Sequence, residues 1–199
     1  MTKEPVKRRS PVSLDNIKKM YENVPKTSES SFVQKRNRVI LKLLEITGAR
    51  VGEIALLSGQ NIENVFTEDK ASLKMRKLKR RGGLVDYRYV SVNKTDFNEI
   101  ATYIKIYRSK IIKNTICKIN DEGYLLISEN TGKAILPVTI TNEINEIIKA
   151  SGIEENVCVH MFRHRFITNL FIQLIKQYDI LLASSVYFSS NSCFCSIVI

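Results

Sequence analysis

A short segment near position 50 combines a glycine, an arginine and a glutamate at a helical corner. It reads TGARVGEIALL from Thr47 to Leu57. Gly48 follows an apolar periodic stretch, as glycine commonly does just past the end of a helix. Arg50 then starts a second helix, and Glu53 shares its face three residues on. Amides at a helix start and a guanidinium fork form a good phosphate cradle. The alternative is a helix-turn-helix corner with a structural Arg–Glu pair.

A second motif, HMFRHRF, places three polar side chains on the first turn of a helix that is otherwise apolar. His160, Arg163 and His164 stand at i, i+3 and i+4, and they include both histidines of the chain. A histidine beside an arginine suits phosphoryl transfer, because the arginine neutralises oxygens and the histidine handles protons. The alternatives are a structural pair, or a zinc site with Cys158 that lacks a fourth ligand.

The charge of the chain favours a nucleic acid as partner. Its 199 residues carry 31 Lys+Arg against 20 Asp+Glu, a formal net charge of +11. Seven of the basic residues and one acid lie between positions 71 and 90. A basic surface of this kind attracts a phosphate backbone through counterion release, ahead of acidic membranes. A solvated basic face without a ligand remains the alternative.

Composition excludes several other classes of protein. The chain is 44% hydrophobic and 26% charged, which is typical of a folded domain and argues against general disorder. The sequence contains no clean apolar run long enough to span a membrane, and its first residues do not form a secretory signal. The four cysteines have no regular spacing, which predicts a reducing compartment.

Apolar periodicity predicts an α+β fold that is mostly helical, with a small three-stranded antiparallel sheet. The strands are expected at 62–66, 72–78 and 84–92, the last two forming a hairpin around Arg80-Arg81-Gly82-Gly83. The last helix, from His160 to Gln177, is apolar nearly all round, which predicts a central buried helix. The other helices are expected from Ser13, before Gly48, at 51–57, at 96–113 and from Pro137.

The two motifs in this order, on either side of a basic sheet, resemble the catalytic domain of the tyrosine recombinases. This is the lambda-integrase family of site-specific DNA recombinases, and the resemblance runs from about Ser13 to Gln177. It implies that Arg50 and Arg163 clamp the scissile phosphate and that His160 assists proton transfer. By the same resemblance Glu53 braces the site, and His164 supports it.

The resemblance also implies a lysine general acid on the turn between the second and third strands. Lys79 is the preferred candidate and Lys77 the reserve, and Lys77, Arg80 and Arg81 are expected to contact DNA. No metal or other cofactor is expected, because positive side chains do the work that magnesium does in other nucleases.

The end of the chain departs from the family pattern. Ile180–Ile199 contains no charged residue in 20 positions, and neither a Gly-His pair nor a third histidine occurs in the chain. Tyr187 is the candidate nucleophile if this tail is native. The favoured alternative is a change of reading frame near 178–180, which leaves a phosphate-binding site without its nucleophile. A third interpretation is a buried or weakly membrane-seeking element.

The resemblance predicts three segments: a basic linker at 1–12, a recombinase catalytic domain at 13–178 and an atypical tail at 179–199. The expected activity is cleavage and rejoining of double-stranded DNA through a 3′-phosphotyrosyl intermediate, by a homo-tetramer on DNA in a prokaryotic cytoplasm. The main alternative is a catalytically dead recombinase that only binds DNA. A further one is an RNA-binding protein that uses Tyr87-Arg88-Tyr89 as a stacking surface.

Overall fold

The computed structural model describes residues 10–59, 70–78 and 86–192. The described part of the chain is mostly helical with one antiparallel hairpin, so the predicted α+β class is confirmed. In chain order the elements are α1 (Leu14–Asn23), a 3-10 turn (Val24–Thr27), α2 (Ser31–Thr47), α3 (Val51–Ala55), β1 (Lys70–Lys77), β2 (Asp86–Asn93), α4 (Lys94–Thr102), a π-helical segment (Tyr103–Arg108), α5 (Ser109–Ile112), α6 (Thr115–Ile119), α7 (Pro137–Ala150) and α8 (Val159–Ser192).

The helices begin and end at the residues whose chemistry favours those positions. The Ser13 hydroxyl oxygen accepts a hydrogen bond from the backbone N–H of Asn16 at 3.1 Å, which caps α1. Ser30 caps α2 in the same way. Pro137 occupies the first turn of α7, where a missing N–H costs nothing. Gly48 ends α2 with a φ of 53°, in the left-handed region that favours glycine.

The hairpin has one face in the core and one face in solvent. Its strands pair without a gap from Lys70 opposite Asn93 to Lys77 opposite Asp86. Side chains of a strand alternate between faces, and the inward ones here are buried. The buried side chains are Leu73, Met75, Val90 and Val92. The described residues contain two paired strands; the third predicted strand, at 62–66, lies outside them.

A single apolar core surrounds α2, which packs against helices before and after it in the chain. The predicted helix at 96–113 is interrupted, because its middle third winds as a π-helix. The segment at 123–128, expected to be extended, pairs through two isolated bridges, Ser58 with Tyr124 and Ile127 with Ala134. Side chains at the centre of this core include Met20, Ile40, Leu43, Leu44, Ile54, Phe97, Tyr103, Ile144 and Phe162.

The prediction that the last helix is central and buried was wrong. Among the side chains of α8 that the structure describes, as far as Tyr178, only those at its start are buried, where Met161 and Phe162 enter the core. From Ile167 to Tyr178 its apolar side chains are exposed, and Phe171 and Tyr178 are each 63% exposed. An apolar helix is buried only where another element packs on it, and the exposure of these side chains shows how little of α8 beyond Phe166 is covered by the described residues. A search of the described residues finds no helix that could cross a membrane.

Candidate active site

The corner between α2 and α3 is shaped by Gly48. A Cβ on this glycine would lie 2.4 Å from Cδ1 of Phe166, in the second turn of α8, so no larger residue fits. Thr47, before it, is fully buried, and its hydroxyl donates to the Leu43 carbonyl at 2.6 Å and accepts from the Ala49 N–H at 3.1 Å. The side chain of Phe166 on α8 therefore packs closely against Gly48 at the end of α2, and Thr47 fixes the turn that follows.

Glu53 is the buried centre of the corner. Its side chain is 1% exposed, and its carboxylate accepts three hydrogen bonds from two arginines. Arg50 donates from its backbone N–H and from Nη1, and Arg88 donates from Nη2, each at 3.1 Å. Because hydrogen bonds between charged groups are stronger than neutral ones, this carboxylate fixes both guanidiniums.

The same contacts keep Glu53 ionised. Burial acts to raise the pKa of Glu53, but the hydrogen bonds from Arg50 and the charge of Arg88 outweigh it. The pKa therefore lies below the ordinary value for a glutamate. A buried carboxylate is tolerated here because every part of its charge is paired.

The end of α2 holds two arginines through its carbonyls. Arg163 donates from Nη1 to the carbonyl of Gly48 at 2.6 Å, and Arg88 donates from Nη1 to the carbonyl of Thr47 at 3.3 Å. The last carbonyls of a helix have no partner within it and carry partial negative charge, so cations are favoured there. The end of α2 therefore contacts both β2 and α8, two elements that are far apart in sequence.

The pKa of Arg163 lies below the ordinary value for an arginine. Burial lowers the pKa of Arg163, and the positive charges of Arg50 and Arg88 lower it further, while Glu53 opposes them. Three guanidiniums and one carboxylate leave two positive charges in excess (3 − 1 = 2). A bound anion would offset that excess. We call Arg50, Glu53, Arg88 and Arg163 the arginine cluster.

The structure brings Arg50, Glu53 and Arg163 together, as the two motifs predict. His160 and His164 lie on the first turns of α8, on either side of Arg163 in sequence, and both are exposed. Within the described ranges, which include Cys158, His160 and His164, no group of three metal-ligating side chains could hold a metal ion.

The hairpin candidates are only partly within the described chain. Lys77, at the end of β1, is exposed and pairs with Asp86 directly across the hairpin, Nζ to Oδ2 at 2.9 Å. Lys79, Arg80 and Arg81 lie in the segment 79–85, outside the described residues.

Arg88 belongs to the arginine cluster, although the sequence did not lead us to predict it there. The sequence pattern placed Arg88 among the basic residues at 71–90 and in a stacking surface with its two tyrosine neighbours. Val90 and Val92 are buried, and side chains two apart on a strand share a face, so Arg88 had to point inward with them. An arginine on the apolar register of a strand was the signal that could have found it.

Tyr187 is far from the cluster along α8. The helix runs without interruption from Val159 to Ser192. Tyr187 follows Arg163 by 24 residues (187 − 163), which at 1.5 Å per residue is about 36 Å along the axis. The backbone of Tyr187 is therefore well outside reach of a phosphate held by Arg163 of the same chain.

Comparison with known proteins identifies the family. The family described as the phage integrase family matches residues 12–179. This chain belongs to that family, as a tyrosine recombinase catalytic domain. It is similar to tyrosine recombinase XerC of Thermodesulfovibrio yellowstonii, with 28% identity over 168 residues that cover 84% of this chain and 52% of the relative. XerC of Lacticaseibacillus casei is 24% identical over 183 residues, covering 85% of this chain and 57% of the relative.

Solved structures share the fold. The XerH site-specific recombinase bound to its difH substrate before cleavage aligns with a TM-score of 0.64 and 20% identity, over 90% of this chain and 47% of that one. The XerA recombinase aligns with a TM-score of 0.59 and 22% identity, over 85% of this chain and 52% of that one. The chain spans about half the length of these proteins and of the curated relatives it matches.

Proposed function

We propose that this chain is the catalytic domain of a site-specific recombinase that engages double-stranded DNA at a backbone phosphate. The arginine cluster carries the proposal: two positive charges in excess stand at a corner where the Arg50 side chain is 38% exposed. A phosphodiester is the anion that such a fork of donors fits. Two proteins that share the fold were solved with DNA, and they support this substrate. One is XerH bound to its difH substrate, and the other is the Tn1549 transposon integrase in complex with circular intermediate DNA.

In the proposed chemistry the cluster binds the scissile phosphate. Arg50 and Arg163 donate to its two non-bridging oxygens and stabilise the added negative charge of the transition state. Glu53 and Arg88 do not touch the substrate. Glu53 holds Arg50 in place and offsets the repulsion between the guanidiniums, and Arg88 holds Glu53. His160 assists proton transfer and phosphate binding, and His164 supports the site.

Strand transfer then needs a nucleophile and an acid. A tyrosine hydroxyl gives up its proton with the assistance of His160 as its oxygen forms a bond to phosphorus. The bond to the 5′ oxygen breaks, and the general acid gives that oxygen a proton. Lys79 is our proposed acid, with Lys77 in reserve, and Lys77, Arg80 and Arg81 contact the DNA. The phosphotyrosyl link conserves the energy of the broken bond, so the step needs no cofactor.

A second candidate function is binding of DNA without cleavage, and the position of Tyr187 favours it. A nucleophile about 36 Å along a continuous helix does not reach a phosphate in its own cluster. Cleavage by Tyr187 requires α8 to break or a neighbouring chain to supply the tyrosine. The first interpretation keeps Tyr187 as a displaced nucleophile; the second makes the chain a DNA-binding remnant.

We also propose the finer assignments that accompany this function. Residues 1–12 form a basic linker, 13–178 the catalytic domain and 179–199 an atypical tail. The segment 62–66 adds a third strand to the hairpin sheet. The domain works in a prokaryotic cytoplasm and assembles as a homo-tetramer on DNA.

Covalent trapping separates the two functions. The chain is incubated with a library of nicked duplexes of random sequence, and adducts that survive denaturation are resolved on a gel. From the geometry we expect the chain to bind the duplexes before denaturation and to leave no covalent adduct after it. That result supports binding of DNA without cleavage. An adduct that disappears in both Tyr187→Phe and Arg163→Gln establishes strand cleavage. An adduct unaffected by Arg163→Gln contradicts the phosphate-binding role of the cluster.

Salt dependence tests the phosphate contact itself. Each lost phosphate contact reduces the slope of log K against log salt by about 0.9 for duplex DNA. We expect Arg50→Gln and Arg163→Gln each to show that loss in duplex titrations. Arg38→Gln is the matched control. Arg38 lies on α2, its side chain is partly exposed like that of Arg50, and it also pairs with a glutamate, Glu99 of α4. Equal slopes for all three variants would overturn the proposed function.

A further inference from the structure

The solvent face of the hairpin carries two exposed tyrosines between two cations. Tyr87 and Tyr89 are 42% and 68% exposed. Lys74 stands directly across from Tyr89 in the ladder, and Arg76 directly across from Tyr87. Side chains at directly opposed positions share a face, so these four form one surface. We call it the outer hairpin face.

This face is separate from the arginine cluster. Arg88 lies between the two tyrosines in sequence, but its guanidinium bonds to Glu53 on the other side of the sheet. Val90 and Val92, with the parity of Arg88, are buried in the core. The two tyrosines therefore point away from the arginine cluster, and the proposed strand transfer gives them no role.

The aromatic and basic groups of this face are already paired with each other. The Lys74 ammonium lies over the ring of Tyr87, with Nζ 4.4 Å from the ring centroid. That contact holds a positive charge beside the more exposed ring of Tyr89. Ser72 and Ser91 stand opposite each other at the next outward position along the hairpin. Their side chains are small, so they leave the ring of Tyr89 exposed to solvent.

We propose that the outer hairpin face binds unpaired nucleotides of a single-stranded nucleic acid. One base stacks on the ring of Tyr89, and the adjoining phosphates pair with Lys74 and Arg76. A tyrosine ring needs the flat face of a base, which an intact duplex hides in its stack and an unpaired strand presents. The formal net charge of +11 complements a polyanion.

Other occupants fit this face less well. An apolar peptide or a second copy of the chain would place apolar groups against Lys74, Arg76 and two serines. A lipid surface would need an apolar anchor, and the outward side chains of these strands include no aliphatic one. Unpaired DNA and unpaired RNA offer the same base faces and phosphates, so the chemistry is shared between them.

The test measures binding of the full chain to fluorescent oligo-dT, oligo-rU and a duplex by anisotropy. One base stacked on an aromatic ring is worth about 1–3 kcal/mol, so Tyr89→Ala should weaken single-strand binding roughly 5- to 150-fold. Tyr89→Phe keeps the ring and should stay within about two-fold of the parent protein. Lys74→Gln should reduce the salt slope by about 0.7, the single-strand value.

Tyr178→Ala is the matched control, since Tyr178 is also well exposed but lies on α8. Thermal unfolding checks that Tyr89→Ala still folds. Single-strand affinity that falls for Tyr89→Ala alone supports the proposal, and the stronger of the dT and rU arms identifies the source. Equal affinities of Tyr89→Ala and Tyr178→Ala, or an equal loss on the duplex, overturn it. Duplex binding that depends on Arg50 is tested separately, so either proposal can fail alone.

Discussion

At the scale of single residues, Glu53 determines how much positive charge the corner can hold. It is the one carboxylate bonded to Arg50 and Arg88 within the described chain, and Arg163 feels its charge as well. Without it, three guanidiniums would repel each other at a buried junction of α2, α3 and β2.

Replacing Glu53 by glutamine should therefore be costly. The variant keeps the shape of the side chain but leaves three crowded, partly buried guanidiniums with no counter-charge, so we expect the free energy of unfolding at pH 7 to fall by about 3 kcal/mol. Urea unfolding measures the change. Glu22→Gln, at an exposed position on α1, should change it by less than about 0.5 kcal/mol. A loss at Glu53 no larger than at Glu22 would show that its charge is not needed.

The same residue predicts a pH dependence with a definite sign. Its folded pKa lies below the ordinary value of 4.5, so the ionised form stabilises the fold above that value. This contribution is lost as the pH falls through the folded pKa. The difference in unfolding free energy between the parent chain and Glu53→Gln should shrink steadily below pH 4.5. A difference that stays constant down to pH 3 is the contrary result.

Gly48 offers a second residue-scale prediction, with a matched control elsewhere in the chain. Gly48 and Gly152 both have positive φ, of 53° and 61°, but a Cβ meets Phe166 only at Gly48. We expect Gly152→Ala to cost about 1–2 kcal/mol from backbone strain. Gly48→Ala should cost about 1–3 kcal/mol more, because α8 must move away. Unfolding free energies measure both, and equal losses would exclude the steric contact with Phe166.

At the scale of elements, α8 differs in burial between its first turns and the turns that follow. Its first turns are anchored by Phe162 in the core, and the rest carries exposed Phe171, Leu174 and Ile175. We expect Phe171→Gln to leave the free energy of unfolding within about 0.5 kcal/mol of the parent. Phe162→Ala should cost about 3–5 kcal/mol. The same unfolding experiment compares them, and a large loss from Phe171→Gln would mean that some element covers this part of α8.

Local signals predicted the boundaries of several elements. The Ser13 cap and the Gly48 stop are short-range chemistry, so the pattern of residues was sufficient to place them. The burial of α8 was not predictable in the same way. Periodicity reports what a helix is able to bury, and the elements that pack on it are determined by the rest of the fold. The π-helical segment at Tyr103–Arg108 gave no sequence signal that we recognise.

At the scale of the whole molecule, the cluster joins four parts of the chain. Motifs around Arg50 and Arg163 were predictable because their spacing resembles a known family, and the match over residues 12–179 confirms that family. Arg88 was not, because its role depends on which face of β2 meets α3. The proposed roles of Lys79 and Tyr187 stay predictions, since they depend on the hairpin turn and on the course of the tail.

The first described residues are tied to the turn of α8 that bears the second motif. The Val12 N–H donates to the carbonyl of Met161 at 3.4 Å, and Arg165 donates from Nη1 to the carbonyl of Val12 at 2.9 Å. Arg163 lies between these two contacts in the chain. These two contacts fasten the segment before α1 to the turn of α8 that carries Arg163, so a displacement of the backbone at Val12 would move that turn. The position of the Arg163 guanidinium is therefore mechanically coupled to the backbone that leads into α1.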